Sequence, residues 1–177
     1  MRRLLVRWLV RRADWLERLA SIGALPSNPT LRVARAAYFE AIRAFNRHDF
    51  RTAFALLSPE CEFQTVEQFE ARTLVGAKQV IRFFNEEALD LFPNWNVQTI
   101  RFLQAAPGVF VTLDRGRGSG RESGTPVVLD LSSVLQIRRW RVVRVDQHPT
   151  WEEGLNAVGL DPAMAGEVRR SARQATR

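Results

Sequence analysis

The sequence has few of the side chains that bind metals or form crosslinks. Its 177 residues include one cysteine, Cys61, and two histidines, His48 and His148, which lie far apart along the chain. A single cysteine excludes an intramolecular disulfide and a cysteine-based metal cluster. Two distant histidines argue against a zinc site. We therefore expect neither a resident metal nor another cofactor.

Long apolar runs are also missing. The chain begins in the manner of a signal peptide, but Arg7, Arg11 and Arg12 divide its apolar residues into runs of three. A secretory signal needs about seven or more uninterrupted apolar residues, and a membrane span needs about twenty. The sequence therefore predicts a soluble, cytoplasmic protein.

The net charge of +7 does not come from the middle of the chain. Residues 31–160 carry a net charge of +1, whereas residues 1–30 carry +4 and residues 161–177 carry +2. A nucleic-acid-binding domain usually presents a basic stripe on its folded surface. We therefore expect no nucleic-acid partner.

These differences divide the chain into three parts. Residues 1–30 are predicted to form a basic amphipathic helix and a linker, residues 31–160 a domain, and residues 161–177 a basic C-terminal tail. Within residues 2–20, the arginines gather on one helical face, and Trp8, Trp15 and several leucines gather on the other. Such a helix can pack on the domain or on a partner subunit, or it can make peripheral contact with an anionic membrane.

Residues 31–160 contain helices first and a sheet afterwards. Apolar periodicity predicts two helices, a short strand at Cys61–Thr65 and a third helix opened by Gly76. Four strands are predicted near 95–105, 108–116, 125–138 and 140–148, followed by a helix that Thr150 caps. The glycine-rich segment 116–124 precedes a strand rather than a helix, so we expect a flexible hairpin loop and no phosphate site. This order indicates the α+β class.

Four segments carry a family resemblance: Tyr38–Asp49, Phe54–Phe63, Gly76–Phe84 and Glu152–Leu160. Their order and spacing resemble the nuclear-transport-factor-2-like superfamily, and within it the SnoaL-like polyketide cyclase group. The resemblance covers about 120 of the 177 residues. It implies a cone-shaped, strongly curved mixed β-sheet wrapped around helices, an apolar pocket inside the cone, and a homodimer.

The catalytic groups of two related enzyme classes do not recur in this sequence. In an alignment with ketosteroid isomerases, the two aspartates and the tyrosine fall on Thr65, Ser133 and Ala41. In an alignment with limonene-epoxide-hydrolase-like enzymes, the water-holding pair falls on Phe63 and Thr65, and the arginine falls on Asp114. Both constellations are therefore incomplete.

The same alignments predict which residues line the pocket. They are Tyr38, Phe63, Thr65, Phe110, Thr112, Asp114, Leu129, Leu131, Ser133, Leu135, Val145 and Gln147. Such an apolar surface with a few hydroxyl groups suits a hydrophobic small molecule. Substrate contacts are assigned to seven of these residues: Tyr38, Phe63, Thr65, Phe110, Thr112, Ser133 and Gln147.

Two carboxylates are candidate acid/base groups. Asp114 shares a strand face with Thr112, and the resemblance turns that face inward. Asp146 is the second candidate, because SnoaL-like cyclases place their catalytic aspartate near this end of the last strand. A carboxylate among apolar side chains has a raised pKa, which suits proton transfer. The alternative for each is a surface ion pair, with Arg115 or with Arg144.

Two functions remain open from the sequence. The first is a cofactor-free enzyme that performs acid/base chemistry (cyclisation, isomerisation or hydrolysis) on an apolar, carbonyl-bearing molecule. The second is a non-catalytic module of the same fold that binds an apolar ligand or a protein. The apolar residues Val109, Val111 and Leu113 also predict a covered convex face, for which we expect a second subunit.

Overall fold

The computed structural model describes residues 29–174. The predicted helix at residues 2–20 lies outside this range. The helices are α1 (Pro29–Phe45), α2 (Phe50–Ala53), α3 (Gly76–Phe83), α4 (Leu89–Leu91), α5 (Trp151–Ala157) and α6 (Met164–Gln174). The strands are β1 (Leu57–Gln64), β2 (Thr73–Val75), β3 (Asn96–Ala106), β4 (Val109–Ser119), β5 (Pro126–Arg138) and β6 (Arg141–His148). Among residues 29–174, no helix is both long enough and apolar enough to cross a membrane.

The six strands form one open, mixed sheet in the order β2-β1-β6-β5-β4-β3. Strands β1 and β6 are parallel, and the other neighbouring pairs are antiparallel. The strand ladders change register at several points, including Thr99/Arg101 in β3 and Gln136/Ile137 in β5. Such irregularities bend strands and increase their twist. The predicted α+β class, with a mixed sheet packed around helices, is confirmed.

Two helices begin at polar caps, one of which is the predicted cap at Thr150. The side chain of Asp49 accepts a hydrogen bond from the backbone N–H of Thr52 at 3.2 Å, at the start of α2. Thr150 accepts one from the backbone N–H of Glu153 at 3.1 Å, at the start of α5. Each bond satisfies a backbone donor that has no partner within its helix.

Strand β4 is buried on both faces. Phe110, Thr112 and Asp114 face the inner side of the sheet, which packs against α1, α2 and α3. Val111 and Leu113 face the outer side and are fully buried there. Because both faces are covered, this strand contributes side chains to two separate hydrophobic cores.

The outer core is closed by the last two helices of the same chain. Trp151 and Leu155 of α5 and Ala165 and Val168 of α6 pack on Val111, Leu113 and Val134. The segment after residue 160, predicted as a basic tail, therefore contains a packed helix. Its apolar surface consists of a few small side chains, so its sequence is polar overall. The predicted second subunit is not needed to bury Val111 and Leu113.

Strand β4 extends to Ser119, through part of the segment predicted as a flexible loop. The indole of Trp95 lies on this extension and is 5% exposed. A Cβ atom at Gly116 would lie 2.0 Å from Cζ2 of Trp95, and one at Gly118 would lie 2.9 Å from its Cε3. The glycines thus provide space for a buried tryptophan, which is why this segment stays in the sheet.

Adding one methyl group at position 116 tests the contact between Trp95 and Gly116. Gly116→Ala should lower the free energy of unfolding by about 1–3 kcal/mol, because the buried indole must shift or the strand must bend. Urea denaturation measures this change. Gly166→Ala is the matched control, since its Cβ would meet only Nη1 of Arg170, at 3.8 Å. In helix α6 it should raise stability by about 0.5–1 kcal/mol. Equal losses in both variants would contradict this account of Gly116.

Candidate active site

A cavity of about 170 Å³ lies between the inner face of the sheet and helices α1 and α2. Most of its lining is aliphatic or aromatic, including Phe63, Trp95 and Phe102. The small side chains of Ala34 and Ala37 leave room for it along α1. Its hydroxyl, carboxyl and amide groups belong to Tyr38, Asp114, Ser133 and Gln147. Among the described residues of the lining, Asp114 is the only charged one.

The carboxyl group of Asp114 is held by two hydroxyl groups. The phenol of Tyr38 donates to Oδ2 at 2.9 Å, and the hydroxyl of Thr112 donates to the same oxygen at 2.6 Å. The other oxygen, Oδ1, is buried and has no hydrogen-bond partner. Asp114 is 5% exposed. One carboxyl oxygen is therefore fixed, and the other can accept a bond from a ligand.

Burial sets the acidity of this pair. It raises the pKa of Asp114 from an ordinary 3.8 to about 6, although the hydroxyl groups of Thr112, Thr99 and Tyr38 oppose the shift. Thr99 is the cross-strand neighbour of Asp114, but its buried Oγ1 forms no hydrogen bond of normal geometry. Burial and the Asp114 charge raise the pKa of Tyr38 well above 10. Tyr38 therefore remains a neutral donor.

Polar side chains form a band across four strands of the inner face: Thr99, Asp114, Thr112, Ser133 and Gln147. The register pairs Thr99 with Asp114, Thr112 with Ser133, and Ser133 with Gln147, so all five point to the same side. Within the band, Oε1 of Gln147 is also buried without a partner. The band thus has two buried acceptor atoms without a hydrogen-bond partner, and both belong to residues that line the apolar cavity.

Several predicted residues line this cavity, namely Tyr38, Phe63, Asp114, Leu131, Ser133, Leu135, Val145 and Gln147. Thr112 lies behind them and bonds Asp114. Phe110 is fully buried, and its ring stacks on Phe102 with the centroids 5.3 Å apart. Leu129 packs against the inner core without lining the cavity.

Thr65 does not reach the cavity. Its hydroxyl donates to the backbone carbonyls of Glu70 and Arg72 at 3.0 and 3.2 Å, and it accepts from the N–H of Arg72 at 3.0 Å. These bonds fix the loop that follows β1. In this position the side chain supports the backbone and makes no contact with the cavity.

Asp146 lies on the outer face of the sheet, where it is opposite Val134 in the register. Both of its carboxylate oxygens accept from Nε of Arg144, at 3.0 and 2.8 Å. Its side chain is 23% exposed. The surface ion pair is therefore what the structure contains, and Gln147 takes the inward position. Asp146 is no longer a candidate acid/base group.

Some lining residues were not predicted from the sequence. Val97 lines the cavity from β3, a strand whose inward face could have been assigned from its alternation. Thr99 lies on the same face, opposite Asp114, but is not part of the lining. Trp140 lies in a tight turn, where no periodicity indicates its direction.

Metal ligation has no candidate among residues 29–174, since no three His, Cys, Asp or Glu side chains are grouped to hold an ion. Burial raises the pKa of the Cys61 thiol to about 11, which makes it a poor nucleophile.

The sequence profile of the SnoaL-like domain matches residues 36–145. This match covers more than half of the chain and includes part of α1, strands β1 to β5 and Asp114. The chain therefore belongs to the SnoaL-like domain family. A search of curated proteins finds no match.

Several solved structures share the fold of this chain. A nuclear-transport-factor-2-like protein of unknown function from Burkholderia pseudomallei K96243 is 19% identical, with a TM-score of 0.59 over 71% of this chain and 96% of that one. A protein of ketosteroid-isomerase-like fold from Catenulispora acidiphila DSM 44928, solved with trimethylamine, is 13% identical, with a TM-score of 0.57 over 77% and 97%. A Mycobacterium tuberculosis protein, solved with estradiol-17β-hemisuccinate, is 11% identical, with a TM-score of 0.55 over 67% and 95%. These likenesses show the fold alone.

The raised pKa of Asp114 predicts a distinctive dependence of stability on pH. The folded protein binds this proton more tightly than the unfolded chain, whose aspartate has the ordinary pKa of 3.8. The free energy of unfolding should therefore fall as the pH rises from about 4 to about 6, by about 3 kcal/mol from this group, and then level off. Asp114→Asn, which cannot ionise, should lose this decline in urea titrations at successive pH values.

Asp146→Asn is the matched control, and it should keep the decline. Asp130 and Glu152 have lowered pKa values, so they destabilise the protein as the pH falls, in the opposite direction. That contribution is present in every variant and cancels in the difference from wild type. Parallel pH curves for wild type and Asp114→Asn would rule out a perturbed carboxyl group.

Proposed function

We propose that the protein is an enzyme that moves a proton on an apolar, carbonyl-bearing small molecule, with Asp114 as the acid/base group. One observation carries this proposal: Oδ1 of Asp114 is buried, has no partner and belongs to a carboxyl group on the cavity wall. An ionised carboxylate without a cation is unfavourable in such a place. The position of the Asp114 carboxyl group is explained if its free oxygen acts as a base.

The pKa of about 6 suits this task. Near neutral pH the carboxylate is mostly ionised and can accept a proton, and it remains acidic enough to return that proton. Tyr38 and Thr112 orient it through Oδ2. Oδ1 would remove a proton from the carbon beside the substrate carbonyl, and the C–H electron pair would form an enolate.

The polar band supplies donors for the enolate oxygen. The hydroxyl of Ser133 and the amide N–H groups of Gln147 lie on the same face as Asp114, on the next two strands, so a ligand that spans these strands would place its oxygen near them. Return of the proton to a different carbon gives isomerisation. Attack of the enolate carbon on a second carbonyl forms a carbon–carbon bond. Asp114 then protonates the new alkoxide, which gives cyclisation.

The composition of the cavity supports an apolar substrate, because aromatic and aliphatic groups surround the few polar ones. The steroid ester bound by the structurally similar Mycobacterium tuberculosis protein is consistent with this class. At 11% identity it does not define the substrate of this chain.

Three expectations remain proposals: a homodimer, a cytoplasmic location, and contact of residues 2–20 with a membrane surface. The burial argument for the dimer is weaker than the sequence indicates, because α5 and α6 cover Val111 and Leu113. Sedimentation at micromolar concentration tests the dimer.

The proposed chemistry can be tested before the substrate is identified. Cyclic and aromatic ketones incubated with the protein in D₂O should exchange the hydrogen atoms next to the carbonyl, and NMR follows this exchange. Asp114→Asn should lower the exchange rate by about 10²–10⁴-fold. Asp146→Asn should exchange at the wild-type rate. Both variants should bind the ketones with unchanged affinity.

The outcomes separate the two functions. Exchange that Asp114→Asn removes supports the enzyme. Binding without exchange in the wild type favours the non-catalytic binding module, because the carboxylate then serves only as an acceptor. A loss smaller than about tenfold in Asp114→Asn would argue against an acid/base role.

A further inference from the structure

The turn between β5 and β6 has an unfavourable backbone. Arg138 and Arg141 are paired across the strands, so only Arg139 and Trp140 form the connection. Their φ angles are +48° and +62°, in the left-handed region. Two-residue turns of this kind strongly prefer asparagine and glycine, and a bulky residue at positive φ is rare. Backbone strain of this kind is concentrated at functional sites.

The side chain of Trp140 is unusual for the tip of a hairpin. It is 9% exposed, and its indole lines the cavity. Its Nε1 is buried and has no hydrogen-bond acceptor. A buried donor without an acceptor destabilises a protein. The strained turn and the missing acceptor are both explained if a ligand contacts this indole.

Trp140 and Asp114 lie at opposite ends of the cavity. Along β5, the inward residues Leu131, Ser133 and Leu135 line it in sequence, and Ile137 follows. Asp114 is opposite Leu131, whereas Trp140 lies beyond Ile137. At about 3.3 Å per residue, the strand length from Leu131 to Ile137 is roughly 20 Å.

The cavity is partly accessible to solvent near Trp140. Its lining residues there are half-buried: Ala53, Leu56, Ile137 and Val142. Arg138 and Arg139 are exposed beside them. Within residues 29–174, neither arginine takes part in an ion pair. The positive charge of these two arginines therefore favours an anionic group at this end of the cavity.

We propose that Trp140 binds the outer end of the ligand, with its ring against an apolar part and its Nε1 donating to an anionic oxygen such as a carboxylate. The ligand is then an elongated apolar acid whose oxygen lies far from the group that meets Asp114. A cavity of about 170 Å³ encloses only part of such a molecule. The inference rests on the proposed function only in using the same cavity as the ligand site.

A pair of fluorescent probes tests this assignment. The first is 2-(p-toluidino)naphthalene-6-sulfonate, an elongated apolar amine with an anionic end. The second is N-(p-tolyl)-2-naphthylamine, which has the same rings without the sulfonate. Trp140→Phe keeps an aromatic ring but removes the N–H donor. It should weaken the sulfonate probe by about tenfold or more and change the neutral probe by less than about twofold.

Trp95→Phe is the matched control, because it makes the same substitution in another tryptophan of the cavity wall. It should change the affinity of both probes equally. Trp140→Ala should weaken both probes, because it removes the ring as well as the donor. Equal effects of Trp140→Phe on the two probes, or no effect on either, would overturn the proposal. Failure of wild type to bind either probe would reject the cavity as a ligand site.

Two further variants test the Trp140 site separately from the acid/base proposal and test the backbone strain in its turn. Asp114→Asn should keep the difference in affinity between the two probes while losing deuterium exchange, so failure of the acid/base proposal is distinguishable from failure of the Trp140 site. Trp140→Gly should unfold at a urea concentration no lower than Trp140→Ala, because glycine tolerates the positive φ. A clearly less stable Trp140→Gly would contradict a strained turn. Neither glycine nor alanine at this position should retain the sulfonate preference.

Discussion

The burial of one carboxyl group on the inner face of the sheet is the constraint on which the site depends. Asp114 lies on a strand covered on both faces, and no ion pair within residues 29–174 includes it. An arginine partner would lower its pKa and remove its capacity to exchange protons near neutral pH. The fold instead supplies two hydroxyl donors, from Tyr38 and Thr112. They satisfy one oxygen without neutralising the charge. Their hydrogen bonds oppose the effect of burial only in part, so the pKa of Asp114 remains raised.

The outer layer of the protein holds this strand in place. The indole N–H of Trp151 donates to the backbone carbonyl of Asp114 at 2.8 Å, from the opposite side of the sheet. Arg115 and Arg169 lie over the Trp151 ring, 5.4 and 5.0 Å from its centroid, and both bind Asp130. The C-terminal helices therefore act on the site through the backbone. A rigid support of this kind is what a positioned acid/base group requires.

The sequence predicts the inner face of the sheet better than its edges. Strand alternation and the family resemblance together place Asp114, Ser133 and Gln147 on the cavity wall, because one face of a curved sheet must point inward. The assignment of Thr65 to the cavity wall rests only on the family alignment. In the structure its hydroxyl bonds to backbone groups of the following loop. For Asp146, a one-residue shift in register reverses the direction of the side chain. In a short strand, the alternation of apolar and polar residues does not define the register to within one residue.

The absence of the isomerase groups therefore does not leave the cavity without chemistry. The positions that correspond to them, Thr65, Ser133 and Ala41, hold no acid or phenol. A phenol and a carboxyl group nevertheless meet nearby, because Tyr38 lies one helical turn from Ala41 and Asp114 lies on the strand next to that of Ser133. Under the proposed function, Oδ1 of Asp114 would approach a bound ligand from β4, and Ser133 would donate to the substrate. Because the donors that bond Asp114 are neutral hydroxyl groups, its basicity would depend on how completely a ligand excludes water. A substrate that fills the cavity would then strengthen the base that acts on it.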